Sequence, residues 1–96
     1  MKHYIIVKYK PEVPSERKET LIPEISELFR HITEIEGVYG ISVYPNCVAR
    51  ENRFDLMIEI DMERSALEAY DASVWHKQWK TVYGELIEKK TIFDRE

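Results

Sequence analysis

The sequence predicts an α+β fold of the ferredoxin-like type, in which a four-stranded antiparallel sheet carries two helices on one face. Two observations lead to this prediction. Stretches of alternating apolar residues and stretches with helical spacing follow one another in the order β-α-β-β-α-β. The chain of 96 residues also contains no linker, repeat or low-complexity tract, so residues 1–96 are expected to form a single domain.

The first strand and the first helix follow from apolar spacing. Residues 2–10 alternate, and one face of this predicted strand carries His3, Ile5, Val7 and Tyr9. The helical stripe that follows comprises Leu21, Ile25, Leu28, Ile32 and Ile35. Ser15 is a candidate N-cap and Gly37 ends the helix. Because Pro23 interrupts the pattern, the helix either begins near Ile22 or is longer and bends at the proline.

The second half of the chain contains three predicted strands and a long helical region. Residues 38–44 alternate, with Tyr39, Ile41 and Val43 on one face. After a loop, residues 53–62 give the clearest alternation, with an apolar face of Phe54, Leu56, Ile58, Ile60 and Met62. A helical region is predicted over residues 64–89 and a short last strand over residues 91–94.

Two helices can cover only one face of this sheet, so the other face predicts a partner. We expect that face to carry apolar and charged side chains together: Tyr4, Ile6, Tyr44, Met57 and Ile92 with Lys8, Asp55 and Glu59. This mixture is too apolar to stay in water and too polar for a closed core. A homodimer in which two sheets pair face to face as a barrel would bury it.

Tyr70 and His76 are the first candidate site residues. In one straight helix they would lie about 120° apart, at about 100° per residue, and would not share a site. A break in the helix is therefore required, and Asp71-Ala72-Ser73 supplies two good capping residues. We predict a short helix through Tyr70 and a second helix that begins near Val74.

The second helix is predicted to place His76 inside an apolar arc. Its stripe comprises Trp75, Trp79, Val82 and Leu86, widened by Tyr83 and Ile87. A buried imidazole there needs a hydrogen-bond partner, and Tyr70, Tyr83 or His3 are the candidates. His76 is either a satisfied core histidine or an acid or base that lines a small cavity.

The chain resembles the stress-responsive A/B barrel (Dabb) domain family of the dimeric α+β barrel superfamily. The resemblance spans KHYIIVKYK, IEGVYGISVYPN, RFDLMIEIDMERSALEAYDASVWH and KKTIFD, with the tract LEAY and the histidine six residues after its tyrosine as the most specific part. The family often has H-P-x-H where this chain has Ser73-Val74-Trp75-His76. The cavity is therefore expected to be smaller or differently shaped than in relatives that carry the motif.

The resemblance implies a homodimer with a cavity between sheet and helices. In a plant member that acts as a cofactor-independent polyketide cyclase, a tyrosine and a histidine spaced like Tyr70 and His76 line this cavity. There the histidine removes a proton next to a carbonyl and the tyrosine binds the carbonyl. His3 matches a further histidine that faces the cavity, and we expect Trp75, Trp79 and Tyr83 to contribute to ligand binding.

Three functions are therefore considered: a cofactor-independent enzyme of proton-transfer or aldol type, a non-catalytic ligand-binding or stress-associated dimer, and a relative of cofactor-free monooxygenases or sugar mutarotases. A small hydrophobic or carbonyl-containing ligand is expected. The net charge of -4 argues against nucleic-acid and anionic-membrane surfaces. Neither the three histidines nor Cys47 stand at metal-ligand spacings, so no metal or cofactor is expected. The short apolar run after Met1 does not have the pattern of a signal peptide, and a cytoplasmic location is expected.

Overall fold

A computed structural model describes residues 1–96 and confirms the predicted ferredoxin-like order. The elements are β1 (Lys2–Tyr9), α1 (Ser15–Arg30), a 3-10 turn (His31–Glu34), β2 (Val38–Pro45), β3 (Leu56–Met62), a 3-10 turn (Arg64–Ala66), α2 (Leu67–Ala72), α3 (Val74–Gln78), a π-helical turn (Trp79–Tyr83), a 3-10 turn (Gly84–Leu86) and β4 (Ile87–Arg95). The strands form one antiparallel sheet in the order β2-β3-β1-β4.

The core lies between one face of the sheet and the helices. Alternate residues of β1 and β3 are buried on that face, as their spacing predicts: His3, Ile5, Val7 and Tyr9 on β1, and Leu56, Ile58, Ile60 and Met62 on β3. Helix α1 buries Leu21, Ile25, Leu28 and Phe29 against them. The Trp79 indole meets the Phe29 ring edge-on, with ring centroids 5.2 Å apart. This pair joins the two helical segments above the sheet.

Helix α1 is the longer of the two predicted alternatives, with Pro23 inside it. It begins at Ser15, so the expected N-cap role of Ser15 is wrong: Pro14 occupies that position and no side chain caps the helix. Proline can precede a helix because its extended backbone directs the chain into the first turn, but it has no side-chain acceptor for the free N–H groups. The start of α1 therefore keeps unpaired backbone donors.

A β-bulge in β2 corrects the predicted face of Tyr39. The register of β2 against β3 shifts between Val38 and Gly40. Val38 consequently lies opposite Met62 and is buried, whereas Tyr39 is 64% exposed. A bulge adds one residue to a strand and reverses the alternation on one side of it. Only Ile41, which lies opposite Ile60, and Val43 follow the predicted face.

The uncovered face of the sheet, called the free face below, differs from the prediction at two positions. Ile92 lies opposite the buried Ile5, so it points toward the helices, and Phe93 takes its place on the free face opposite Tyr4. Asp55 precedes β3 and leaves the sheet plane. Its carboxylate accepts the backbone N–H of Tyr9 at 2.8 Å and pairs with the Lys18 ammonium at 3.1 Å. It therefore binds α1.

The region between β3 and β4 confirms the predicted break but not a continuous second helix. Ser73 has extended backbone angles (φ −68°, ψ 153°) and separates α2 from α3. After α3 the chain widens into the π-helical turn, which shifts the phase of the apolar stripe. Val82 is therefore 47% exposed, whereas Tyr83 is buried. The helical region ends at Leu86, three residues earlier than predicted, and β4 is longer than residues 91–94.

Gly37 has a φ of 90° at the end of the first helical region. A Cβ there would stand 3.1 Å from the Cβ of Ala66. We expect Gly37→Ala to lower the free energy of unfolding by about 1–2 kcal/mol in urea denaturation, because a side chain disfavours this conformation. Gly84→Ala is the control, since a Cβ there meets open space. An equal effect of both changes would contradict the expectation.

Candidate functional site

Ser73 connects the two helices that hold the candidate pair. Its hydroxyl donates to the carbonyl oxygen of Tyr70 at 2.7 Å and accepts the backbone N–H of His76 at 3.2 Å. One small side chain thus ends α2 and caps α3. This junction brings Tyr70 and His76 together although they are six residues apart: their ring centroids are 4.8 Å apart, at an interplanar angle of 61°.

Tyr70 lies between two imidazoles. Its ring contacts His76 on one side and His3 on the other, where the centroids are 5.6 Å apart at 65°. The side chain is 1% exposed, and its buried hydroxyl has no hydrogen-bond partner. Burial, followed by the charge of Asp71, raises the pKa of the Tyr70 phenol. The Tyr70 hydroxyl therefore remains neutral and can donate a hydrogen bond that no group of the chain accepts.

The imidazole of His76 is oriented by a backbone bond. Its Nδ1 lies 3.0 Å from the carbonyl oxygen of Asp71. A carbonyl can only accept, so Nδ1 carries the proton and Nε2 has the lone pair in the neutral ring. The expected partners Tyr70, Tyr83 and His3 are therefore replaced by the Asp71 backbone. His76 is also half-buried and lies outside the core, which excludes the interpretation as a core histidine.

His3 is held by a carboxylate from the last strand. It lies opposite Asp94 in the pairing of β1 with β4, and its Nδ1 is 2.5 Å from Asp94 Oδ1. His3 is 6% exposed, the only buried polar or charged residue of the chain. A carboxylate on Nδ1 fixes the ring orientation and leaves Nε2 without a partner. Both histidines thus have Nδ1 engaged and Nε2 free.

These residues line a cavity of about 300 Å³ between α2, α3, β1 and β4, called the Tyr70 cavity below. The lining residues are His3, Ile5, Leu67, Tyr70, Asp71, His76, Trp79, Lys80, Lys90, Ile92 and Asp94. The structure therefore brings together Tyr70, His76, His3 and Trp79 of the six predicted site residues.

Trp75 and Tyr83 lie outside the Tyr70 cavity. The Trp75 ring stacks on His31 of the 3-10 turn after α1, with centroids 6.2 Å apart and planes 7° apart. Tyr83 points to α1, and its hydroxyl donates to Glu24 at 3.3 Å. The π-helical turn displaces Tyr83 because it shifts the phase of the chain after Gln78, whereas Trp75 and His76 are consecutive in α3 and point about 100° apart. Trp75 consequently leaves the space beside His76 open.

Four charged residues of the cavity were not among the predicted site residues: Asp71, Lys80, Lys90 and Asp94. The two on β4 follow from strand pairing, because Lys90 lies opposite Val7 and Asp94 opposite His3 on the helix-covered face. Lys90 precedes the predicted strand of residues 91–94 and was missed with the start of β4, whereas Asp94 lies within that strand and its partner His3 comes from the other end of the chain. The two lysines place positive charge beside His76, and Asp71 and Asp94 place two carboxylates in the same lining.

The pKa of His76 is lowered, chiefly because burial disfavours the charged imidazolium. Lys80 and Lys90 add to this effect, while the Asp71 carbonyl opposes it. An NMR titration should therefore give a midpoint below the usual value of about 6.5. Between that midpoint and pH 6.5 the unfolded chain binds more protons, so this group makes the folded state less stable as the pH falls through the window. A midpoint above 6.5 would contradict this account.

The arrangement supplies a base and a donor side by side. Neutral His76 can accept a proton at Nε2, and Tyr70 can donate a hydrogen bond to an oxygen atom. The lysines stabilise negative charge that develops near them. No group of three His, Cys, Asp or Glu side chains in the chain is placed to hold a metal ion. The chemistry available to these side chains is acid–base chemistry on a polarised oxygen compound.

Comparisons with known proteins agree with this architecture. The family model described as "Stress responsive A/B Barrel Domain" matches residues 1–96. A dimeric ferredoxin-like protein of unknown function from Bacteroides fragilis has a TM-score of 0.80 at 18% identity, covering 99% of this chain and 93% of that one. A dimeric ferredoxin-like protein of unknown function from Thermobifida fusca has a TM-score of 0.77 at 14% identity, covering 96% and 85%.

A hydroxynitrile lyase from Passiflora edulis is similar in fold, with a TM-score of 0.71 at 11% identity over 96% of this chain and 87% of that one. At these identities the solved structures show the fold alone. No curated protein matches the sequence. None of the helices is both long enough and apolar enough to cross a membrane.

Proposed function

Because the chain belongs to the stress-responsive A/B barrel (Dabb) domain family, we propose that it is a homodimer whose Tyr70 cavity catalyses cofactor-independent proton transfer on a small carbonyl compound. The observation that carries this proposal is the buried Tyr70 hydroxyl, which has no partner and belongs to a ring that contacts the imidazoles of both His3 and His76. A buried donor without a partner costs about 1–3 kcal/mol. A carbonyl oxygen of a bound ligand would satisfy it.

The proposed step begins with His76 as the base. Its Nε2 takes a proton from the carbon next to the ligand carbonyl, and the C–H electron pair moves to form the enolate. The carbonyl oxygen, which gains the charge, accepts the hydrogen bond of Tyr70. In an aldol reaction the enolate carbon then forms a C–C bond with a second carbonyl carbon, the C=O π electron pair moves to that oxygen, and the oxygen takes the proton back from His76. His3, fixed by Asp94, is assigned to binding the ligand.

The size and charge of the Tyr70 cavity support a small substrate. Its volume of about 300 Å³ is at the lower end of the range of ligand sites, roughly 300–1,000 Å³. Leu67, Trp79 and Ile92 provide apolar walls, while Lys80 and Lys90 favour an anionic group or a developing enolate. A compact β-dicarbonyl compound fits these features better than a long polyketide chain does.

The homodimer is proposed from the free face of the sheet. On this face Ile6 lies opposite Met57, which in turn lies opposite Tyr44, so three apolar side chains form a row across β1, β3 and β2. Tyr44 is 46% exposed and Phe93 is 57% exposed. The structural relatives from Bacteroides fragilis and Thermobifida fusca are described as dimeric. A second copy placed on the free face would bury these side chains.

The test is deuterium exchange in D₂O at the α-carbon of pentane-2,4-dione, followed by proton NMR with a matched sample lacking the protein. We expect the protein to accelerate exchange, since reversible deprotonation is the first step of the mechanism. Binding of the diketone beside His76 without acceleration would instead assign the cavity to a non-catalytic ligand-binding dimer. Both results can be explained without the third function considered, that of a cofactor-free monooxygenase or a sugar mutarotase.

Tyr70→Phe should separate catalysis from stability. The change removes a hydroxyl that has no partner, so the free energy of unfolding is expected to change by less than about 1 kcal/mol. Exchange should slow by about 10²–10³-fold, because the enolate oxygen loses its donor. Tyr9→Phe is the matched control, since it removes the other buried hydroxyl without a partner, outside the Tyr70 cavity. Equal exchange rates in both variants would remove Tyr70 from the mechanism.

A further inference from the structure

A second and larger hollow lies at the other end of β1. Its volume is about 670 Å³, and it opens between the first turns of α1 and the loop that joins β2 to β3. It shares no lining residue with the Tyr70 cavity. We call it the Tyr9 groove; its lining includes Tyr9, Ile22, Arg50, Arg53, Phe54 and Asp55.

Tyr9 lines this groove and carries a donor without a partner. The side chain is 4% exposed, and its buried hydroxyl makes no hydrogen bond. Burial, followed by the charge of Asp55, raises the pKa of the phenol to about 12. The hydroxyl is therefore neutral and able to donate at neutral pH. An acceptor oxygen from a ligand would remove the cost of leaving it unpaired.

The charges at the groove leave an excess of cations for a ligand. The carboxylate of Asp55 is already neutralised by Lys18 at 3.1 Å. Arg50 and Arg53 have no carboxylate within salt-bridge distance, and the guanidinium of Arg53 donates only to the side-chain amide oxygen of Asn52, at 2.7 Å. Glu19 is the other carboxylate in the lining. Two guanidinium groups on one loop, neither paired with a carboxylate of the chain, are suited to bind the carboxylate of a ligand.

The walls of the groove are apolar. Prolines and aliphatic or aromatic side chains from α1 and the loop face it: Ile22, Pro23, Pro45, Val48 and Phe54. The start of α1, where Ser15 lines the groove, has no side-chain cap and adds partial positive charge. A ligand that satisfies all these groups has an apolar body and an anionic oxygen group.

We propose that the Tyr9 groove is a binding site for an apolar carboxylate, such as a medium-chain fatty acid. The carboxylate pairs with Arg50 and Arg53 and accepts the hydrogen bond of Tyr9, while the hydrocarbon chain packs against Ile22 and Phe54. This site is separate from the Tyr70 cavity and does not depend on the function proposed for it.

The test is a titration of the ¹⁵N-labelled full chain with octanoate below its micellar concentration, followed by amide chemical shifts. We expect the shifts to concentrate in residues 46–55 and in the first turns of α1. Octan-1-ol, which has the same chain length and no charge, should bind at least about tenfold more weakly, since a charged hydrogen bond is worth about 1.5–3 kcal/mol. Equal binding of the alcohol, shifts centred on His76, or no shifts would overturn the proposal.

Three variants of the same chain complete the test. The double change of Arg50→Ala with Arg53→Ala should weaken octanoate binding by about tenfold or more. Tyr9→Phe should weaken it severalfold without lowering the urea midpoint, because the hydroxyl it removes is unpaired. Tyr70→Phe, the matched control, should bind octanoate like the unaltered protein. Unchanged affinity in both the arginine and the Tyr9 variants would overturn the site.

Discussion

Ile6→Asp is expected to convert the protein from a homodimer into a monomer at micromolar concentration. Ile6 stands on the free face of β1, opposite Met57 on β3 and Thr91 on β4. If two free faces pair, an aspartate at this position places an unpaired carboxylate in each half of the interface. A buried charge without a partner costs about 3–5 kcal/mol, so the dissociation constant should rise at least about 100-fold.

The arrangement of charges on the free face makes Ile6 the informative position. Lys2 pairs with Asp61 at 3.5 Å, and Arg95 donates to the Tyr4 hydroxyl at 3.1 Å, so the end of the sheet near the start of β1 is polar. The row that contains Ile6 is apolar instead. A charge added to the polar end would meet partners or water, whereas at Ile6 it faces the apolar side chains of Met57 and Tyr44 along the row.

Sedimentation equilibrium measures this effect directly, since the protomer has a mass of 11.5 kDa. Val82→Asp is the control, because it adds the same charge to an apolar side chain that is 47% exposed and outside the sheet. Circular dichroism should show that both variants are folded. A dimeric Ile6→Asp variant, or an unaltered protein that sediments as a monomer, would contradict pairing through the free face.

The fold could be predicted from the sequence because burial on one face imposes a period on each element. Alternation in β1 and β3 identified the buried residues of both strands, except that Phe54 lies before β3 and is only half-buried. Pro23 left two alternatives, of which the longer helix is present. The errors occur where one residue is added to a regular period. The bulge at Tyr39 reverses one face of β2, and the π-helical turn moves Val82 into solvent. Gly40 beside the bulge is a local signal for the first insertion, whereas the π-helical turn has no such signal and depends on tertiary packing.

The site was predictable only in part for the same reason. Helix geometry required a break between Tyr70 and His76, and Ser73 makes that break through two hydrogen bonds. The carboxylate that holds His3 comes from a strand 91 residues away, so local spacing could not find it. Trp75 was expected in the cavity because it shares the predicted stripe of the second helix with Trp79, but its ring stacks on His31 instead.

The two buried tyrosine hydroxyls without partners connect the site and the groove. Tyr9 and Tyr70 are the only buried side chains whose oxygen lacks a hydrogen bond, and each lines a different hollow. A phenylalanine at either position would avoid the cost of about 1–3 kcal/mol. The presence of a hydroxyl at both positions is explained if each is used by a bound ligand.

His76→Gln is expected to slow α-carbon exchange by about 10²–10⁴-fold, the usual contribution of a positioned general base. Glutamine can keep a hydrogen bond to the Asp71 carbonyl but cannot accept a proton at neutral pH. Because His76 is half-buried and outside the core, the free energy of unfolding should change little. His31→Gln is the control, since His31 is on the surface and lies outside the Tyr70 cavity.

The pH profile distinguishes a base from a side chain that only shapes the cavity. Burial lowers the pKa of His76, so the neutral base is present at pH 7 and is lost as the pH falls through a value below about 6.5. Exchange by the unaltered protein should therefore fall on the acid side with that midpoint, and the same midpoint should appear in the NMR titration of His76. In His76→Gln the remaining exchange should lack this step. An acid step that persists in the variant would assign the proton transfer to another group, with His3 as the first residue to change.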